Sequence, residues 1–398
     1  MTFSKLLTKI KFTNPEVNPI VILYDYDHWI KELILKDLSS TTIDVYPTRI
    51  YVTPMLIART FLRLRLINWR EINKKTVLKN LFRQIHDQYL LACIDQTKAK
   101  VVLTAIDNSN FFQKLSRIDS KRTYFAIQNG TRTLSCVRDS LLSTSHPHTL
   151  STISMTNFFC FGQRDIDLFV RHDHIVDNYF PVGALVGGYY KSVVSVPVTK
   201  PLFDLCLISQ WHASLFGEII GDDFTARSSR RIGVSIAGMN LFLLRFIEET
   251  GLSLVICTRS NNAAERAYYQ NIFGDSVKFI DSDRKNFSTY RAVEQSRLAI
   301  GMNSTALAEI FSWGQKVLWC NVPNDEHYEM PEAGISYFHG DDYNAFKERV
   351  LMLLNMPQAE YEMSTREGAR YINNYDPANP PHQIIRSAIM QALSNANQ

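Results

Sequence analysis

Asn303, Ser304 and Thr305, with Glu309 four residues beyond Thr305, are the residues of this chain best spaced to do chemistry on a phosphate. They lie in LAIGMNSTALAEIFSWGQKVLW, residues 298–319. That run reads as a short buried strand, a polar turn, a helix stopped by Gly314 and a second strand. The first N–H groups of a helix have no intrahelical partners, and the helix dipole favours negative charge beside them. Thr305 and Glu309 fall on one helical face. A phosphate at the turn and a ribose hydroxyl at the carboxylate would be served together. An ordinary capped helix could carry the same letters, so the neighbouring motifs matter. Directly upstream, Phe287-Ser288-Thr289-Tyr290-Arg291 reads as another capped helix start. The N-termini at Ser288 and Ser304 could bracket one nucleotide phosphate, with Tyr290 beside it.

Candidate acids lie in the first half. Thr104-Ala-Ile-Asp107-Asn108-Ser109-Asn110 follows a buried strand, so Asp107 and Asn108 either start a helix or face a substrate. In the second case Asp107 serves as nucleophile, base or acceptor ligand. Gln128-Asn129-Gly130-Thr131-Arg132 also ends a strand. Its Asn-Gly pair suits a tight turn, while Gln128, Asn129 and Arg132 suit hydroxyls and a carboxylate. Asp165 and Asp167 follow Phe161-Gly162; Asp167 fits a surface helix better than Asp165 does. In the second half Ser209-Gln210 closes one strand and Arg259 another. Between them, Glu218, Asp222 and Asp223 stand beside Arg227, Arg230 and Arg231, a mixed run typical of a solvated loop.

These residues must be positioned by a repeated alternation of strand and helix. PIVILYDY at 19–26, KVVLTAID at 100–107 and RTYFAIQ at 122–128 are strand-like. Amphipathic stretches at 28–38, 54–66 and 75–97 are helical. KSVVSVPVTKP at 191–201 reads as a linker, after which the alternation restarts. Apolar strands between amphipathic helices predict parallel sheets covered on both faces. The fold class is therefore α/β: two Rossmann-like domains facing a central cleft, with ligands at the carboxyl ends of the strands. The expected boundaries are 1–195 for the first domain and 196–380 for the second. A C-terminal helix, 381–398, is set off by Pro377, Pro380 and Pro381 and could pack back on the first.

The chain has 398 residues, 45% of them hydrophobic and 21% charged, which suits a folded protein of two domains. A net charge of +4 argues against a nucleic-acid partner. It is compatible with an anionic substrate or a loose association with anionic lipid. The six cysteines show no ligand spacing and read as reduced, buried thiols. No signal peptide or membrane span is legible, so a cytoplasmic location is expected, with room for peripheral contact at the inner membrane. The phosphate-loop, dinucleotide and nucleophile-elbow motifs are missing. No metal ligand set is legible, and His146-Pro147-His148 sits in a Ser/Thr-rich stretch read as loop.

In order along the chain, TAIDNSNFF, FAIQNGTR, FCFGQRDIDLF, PVGALVGGYY, LISQW, FSTYRAV and AIGMNSTALAEIFSWGQKVL form a pattern. It resembles the bacterial surface-polysaccharide biosynthesis glycosyltransferases of GT-B fold, similar to the retaining β-Kdo transferases. The resemblance spans roughly residues 100–325. It implies a CMP-activated ulosonic acid, Kdo above all, as a nucleotide-sugar donor held by the C-terminal domain. It implies a glycan or lipid-linked glycan acceptor, a capsule or O-antigen chain, at the N-terminal domain. It assigns Ser288, Tyr290, Asn303, Ser304, Thr305 and Glu309 to the donor, with Ser209, Gln210 and Arg259 beside them. Asp107, Asn108, Gln128, Asn129 and Arg132 fall on the acceptor and sugar side. Retaining chemistry calls for a nucleophile and an acid/base, for which Asp107 and Asp165 come first, with Asp222 or Asp223 in reserve. No cofactor and no metal are implied. The motifs leave three alternatives open: transfer of a polyol phosphate from CDP-glycerol or CDP-ribitol, another CMP-nonulosonic acid such as pseudaminic or legionaminic acid, and a non-enzymatic nucleotide-sugar-binding scaffold.

Overall fold

The structure, a computed structural model, describes residues 10–23, 29–43, 50–64, 77–107, 109–134, 152–212, 224–275 and 277–396. Asn108, His146, His148, Glu218, Asp222 and Asp223 lie outside the described residues.

Two six-stranded sheets carry the fold, and every strand pair in them is parallel. A two-stranded pair, β1 (Ile10–Lys11) with β4 (Ile50–Tyr51), stands apart. The first sheet is built from β2 (Ile20–Leu23), β3 (Ser40–Ile43), β5 (Val101–Thr104), β6 (Thr123–Ile127), β7 (Ser154–Cys160) and β8 (Ile175–Pro181). Its order is β3-β2-β5-β6-β7-β8. The second is built from β9 (Phe203–Ile208), β10 (Leu254–Cys257), β11 (Lys278–Ile280), β12 (Ser296–Gly301), β13 (Val317–Asn321) and β14 (Tyr337–His339). Its order, β11-β10-β9-β12-β13-β14, is the doubly wound order 3-2-1-4-5-6 of a dinucleotide fold.

Alternation along the strands explains why both faces are covered. In β2, Val21 and Leu23 enter one apolar cluster, with Leu90, Phe112 and Phe169. Ile20 and Ile22 enter another, with Ile30, Phe125 and Ile389. Successive side chains point to opposite faces, so a strand apolar throughout demands cover on each. The helices supply it: α1 (Pro54–Leu64), α2 (Val77–Thr97), α3 (Asn110–Ile118), α4 (Gln163–Arg171) and α5 (Leu185–Tyr189) come from the first half. From the second half come α6 (Phe224–Thr250), α7 (Ala263–Phe273), α8 (Ser288–Glu294), α9 (Thr305–Phe311), α10 (Tyr343–Asn355) and α11 (Gln358–Ile372). Last is α12 (Pro381–Asn395).

Some expectations change. The helix read over 28–38 is, among the described residues, one wide turn at Ile30–Ile34, closed by Leu35 N–H donating to the Ile30 carbonyl. The strand before Phe161-Gly162 runs from Ser154 to Cys160. The 191–201 linker begins as another wide helical turn, Tyr190–Val194, that continues α5. After α11 the chain returns to the first sheet: Ile385 and Ile389 of α12 are buried in its core, and Arg386 donates to the Ile34 carbonyl at 2.7 Å.

Candidate functional site

The carboxyl ends of the two sheets face a common cleft of about 610 Å³. Gln128 and Asn129, which follow β6, line it from the first sheet, with Trp29. Ser209, Arg259, Ser288, Tyr290, Ser304, Thr305 and Glu309 line it from the second. Nine of the fifteen expected site residues therefore share one wall. Among the described residues, Asp107, Arg132, Asp165, Gln210 and Asn303 are not part of that wall.

Glu309 is the best-defined group. It projects from α9, is nearly buried, and lines the cleft. The Tyr290 hydroxyl donates to its Oε2 at 2.5 Å, and the Gly187 N–H donates to its Oε1 at 3.3 Å. Burial pushes the carboxyl up to about 7, against the opposing pull of these two donors. Burial and the adjacent carboxylate hold the Tyr290 phenol well above its ordinary range. Tyr290 is itself positioned by stacking on Tyr190 at 5.1 Å and by Trp313 at 5.4 Å. Tyr190 in turn donates to Glu294 at 2.6 Å, and Lys191 meets the same carboxylate at 2.8 Å. The connection between the sheets is thus clamped to α8, the helix that carries Tyr290.

Gly187 is needed here for its size. A Cβ there would lie 2.8 Å from the Glu309 Cβ, so only glycine lets α5 approach α9 this closely. A second cross-cleft contact joins the Thr131 N–H to Thr305 Oγ1 at 3.1 Å.

Several expected side chains are turned elsewhere. The Ser288 hydroxyl accepts from Asp283 N–H and donates to the Asp281 carbonyl, both at 2.8 Å, so it holds the loop before α8. The helix cap is Phe287, in the left-handed region at φ 54°, and not Ser288. Ser304 occupies the cap of α9 without a side-chain bond to the helix. Ser209 is buried and donates to Glu265 at 2.5 Å. Gln210 accepts from the Asn303 N–H, tying the end of β9 to the end of β12 at the point where the strand order reverses. Arg259 remains exposed on the cleft wall, with no side-chain partner among the described residues.

The two carboxylates expected to catalyse are buried and do not line the cleft. Asp107 is 2% exposed and paired to Arg132, whose Nη2 also reaches Asn129 Oδ1 at 3.4 Å. Asp165 is 2% exposed and accepts from Gln128 Nε2 at 3.0 Å. Burial raises Asp165 to about 6, although Arg164, Gln128 and Arg132 pull it down. Gln128 also donates to the Gly130 carbonyl and accepts from Phe161 N–H, both at 2.9 Å, so its amide is fully used. Both acids act on the turn 129–132 that reaches Thr305. Their charge needs partners in the interior, and those partners are the residues once expected to meet a substrate.

Trp29, Gly187, Arg284 and Phe287 also shape the site, and the motif reading did not single them out. Arg284 lies over the Trp29 ring at 5.8 Å, reaching across the cleft mouth. The paired glycines at 187–188, inside an apolar run, were a legible sign of close approach. Among the described residues, no three His, Cys, Asp or Glu side chains gather as a metal-ligand set.

The chain matches no family model and no curated protein. Solved structures do resemble it. The UDP-GlcNAc 2-epimerase from Neisseria meningitidis bound to UDP-GlcNAc is 16% identical, with a TM-score of 0.55, covering 94% of this chain and 99% of that one. The S. aureus MnaA–UDP co-structure is 14% identical, with a TM-score of 0.56, covering 95% and 97%. The wall teichoic acid polymerase TagF (H548A) is 10% identical, with a TM-score of 0.53, covering 96% and 91%. Together with the two facing parallel sheets, these likenesses establish the fold as GT-B, an α/β architecture.

Proposed function

We propose that the protein is a glycosyltransferase that takes an ulosonic acid, Kdo first, from its CMP-activated form and adds it to a capsule or O-antigen glycan. The observation that carries the reading is the Tyr290–Glu309–Gly187 arrangement on the wall of a cleft between two Rossmann-type sheets. A carboxylate flanked by a phenol and a backbone N–H suits a vicinal diol such as a ribose edge. Arg259, exposed on the same wall and without a side-chain partner among the described residues, suits the phosphate or the sugar carboxylate. The second sheet then takes the donor and the first takes the acceptor. The order of the sequence motifs supports the choice of donor, and the neighbours' printed ligands favour a UDP-sugar as the competing reading.

In this reading Asn129 forms the acceptor side, and Gln128, Asp107 and Asp165 hold the turn that carries it. The turn's contact with Thr305 brings the acceptor side against the donor side. The phosphate leaving group would be stabilised by Arg259 and by the donors around Ser304.

The test is to incubate the purified protein with a synthetic glycan acceptor and, in parallel, CMP-Kdo, CDP-glycerol and UDP-GlcNAc. Acceptor-dependent CMP release with a ketosidic product is expected. A phosphodiester product would replace the reading with polyol-phosphate transfer. UDP-GlcNAc turnover with CMP-Kdo inert would replace the donor, and inertness to all three together with other CMP-nonulosonic acids would remove the transferase reading.

A further inference from the structure

Trp29 lines the cleft from the first half of the chain and is half-buried. It directly precedes the wide turn Ile30–Ile34, whose Ile30 and Ile34 are buried, Ile30 in the core of the first sheet. The turn is closed by the Leu35 N–H on the Ile30 carbonyl, and Arg386 of α12 holds the Ile34 carbonyl at 2.7 Å. The indole therefore stands on a fixed base. Arg284 lies over its ring at 5.8 Å, against 3.9 Å for Arg245 over Tyr343. At that distance the guanidinium stands off the indole, and the contact is a weak one to displace.

The wall beside Trp29 carries no charge. Among the described residues that line the cleft, the first half contributes Ile106, Ile127, Phe161 and Val186 but no Lys, Arg, His, Asp or Glu. Polar contact falls to Asn129, which is exposed and whose Nδ2 has no partner among the described residues. The Gln128 amide beside it is used up within the fold. An indole face next to one open amide suits a pyranose, whose C–H groups lie against the aromatic ring while a hydroxyl meets the amide. A carboxylate in the same place would lose its hydration against apolar side chains, with no cation on that wall to replace it. The arginines of the cleft, Arg259 and Arg284, come from the second half. The donor's phosphate and sugar carboxylate use one each.

We infer, resting on the transferase reading, that Trp29 is the stacking platform for the acceptor's terminal sugar and that this sugar is an uncharged pyranose. An ulosonic acid carries a carboxylate, so a chain that has received one is no longer an acceptor. The enzyme adds a single residue, and the acceptor is supplied by a transferase that ends the glycan on a neutral sugar.

Saturation-transfer NMR of the full chain with methyl β-D-galactopyranoside, methyl β-D-glucopyranoside and methyl β-D-glucuronide tests it. A neutral glycoside should bind and the glucuronide should not. Trp29→Leu should weaken the neutral binding by about fivefold or more, and Trp29→Phe, which keeps a ring, by no more than about threefold. CMP binding by calorimetry should be unchanged in both variants, and unaltered thermal unfolding shows that they are folded. In the transfer assay Trp29→Leu should raise the acceptor KM and not the donor KM, and mass spectrometry should find a single added residue. Glucuronide binding as tight as the neutral binding, or a ladder of additions, overturns the uncharged acceptor. Absence of neutral binding, or equal binding by Trp29→Leu, overturns the platform even where transfer proceeds. Loss of CMP binding in Trp29→Leu assigns the indole to the shape of the whole cleft and overturns the platform as well. Glycoside binding that depends on Trp29, with every donor inert, removes the transferase reading and leaves the sugar site.

Discussion

Glu309 shows how much one side chain's surroundings decide. Its carboxyl belongs to a helix start whose letters could mark any αβ unit, yet burial lifts it from 4.5 to about 7. The folded chain therefore binds a proton that the unfolded chain gives up between those values. The stabilisation is complete below about pH 4.5 and falls as pH rises to about 7, by an amount on the order of 3 kcal/mol. Asp165, raised from 3.8 to about 6, has the same sign over a lower window. Glu309→Gln should remove the fall between about pH 6 and 7, roughly halve it between about pH 4.5 and 6, and leave it in place below that, as measured by denaturant unfolding across the range. An unchanged slope in the variant would show that Glu309 is not the group responsible. If the carboxylate holds the donor, the same variant raises the donor KM by more than it lowers kcat.

At the scale of elements, the strands were legible because each parallel strand is an unbroken apolar run, as in Val101–Leu103 and Val317–Cys320. The ends of those strands, and so the neighbourhood of the site, were legible with them. The direction in which each polar side chain turns was not. Ser209 and Ser288 sit where a ligand group would sit, but their hydroxyls satisfy Glu265 and the 281–283 backbone. Asp107 likewise follows a strand and Asp165 opens a helix, yet one carboxylate oxygen of each is taken by Arg132 and Gln128. Long-range partners set those choices, and spacing along one chain does not record them. Helix α5 escaped the sequence reading because Gly187 and Gly188 weaken any helical signal. Its glycine is nonetheless what brings α5 onto Glu309. Gly187→Ala should push α9 or α5 aside by several tenths of an ångström, since the atom met is the Glu309 Cβ, close to the backbone. A loss of about 1–3 kcal/mol in stability is expected and, in the proposed reading, weaker nucleotide binding by calorimetry. Wild-type values for both would show that the approach is not tight.

At the scale of the molecule, the chain visits the first sheet, builds the second, and comes back. The outward crossing is fixed by Tyr190, Lys191 and Ser195, which all converge on Glu294. The return is fixed by Asn373, whose side chain accepts from Ala184 N–H at 2.8 Å and donates to Ser312 at 2.9 Å, and by α12 beyond it. The sequence showed the last helix through its prolines, but its partner was out of reach, because Ile20 and Ile389 share one core across almost the entire chain. Deleting atoms from Ile389, which is completely buried, leaves a cavity in the core of the first sheet. Ile389→Ala should therefore cost about 2–5 kcal/mol. Hydrogen exchange should speed up in β2 and β5, more than 280 residues away in sequence, and stay slow in β12 and β13. Faster exchange confined to α12 itself would mean that the helix frays without supporting the sheet it lies on.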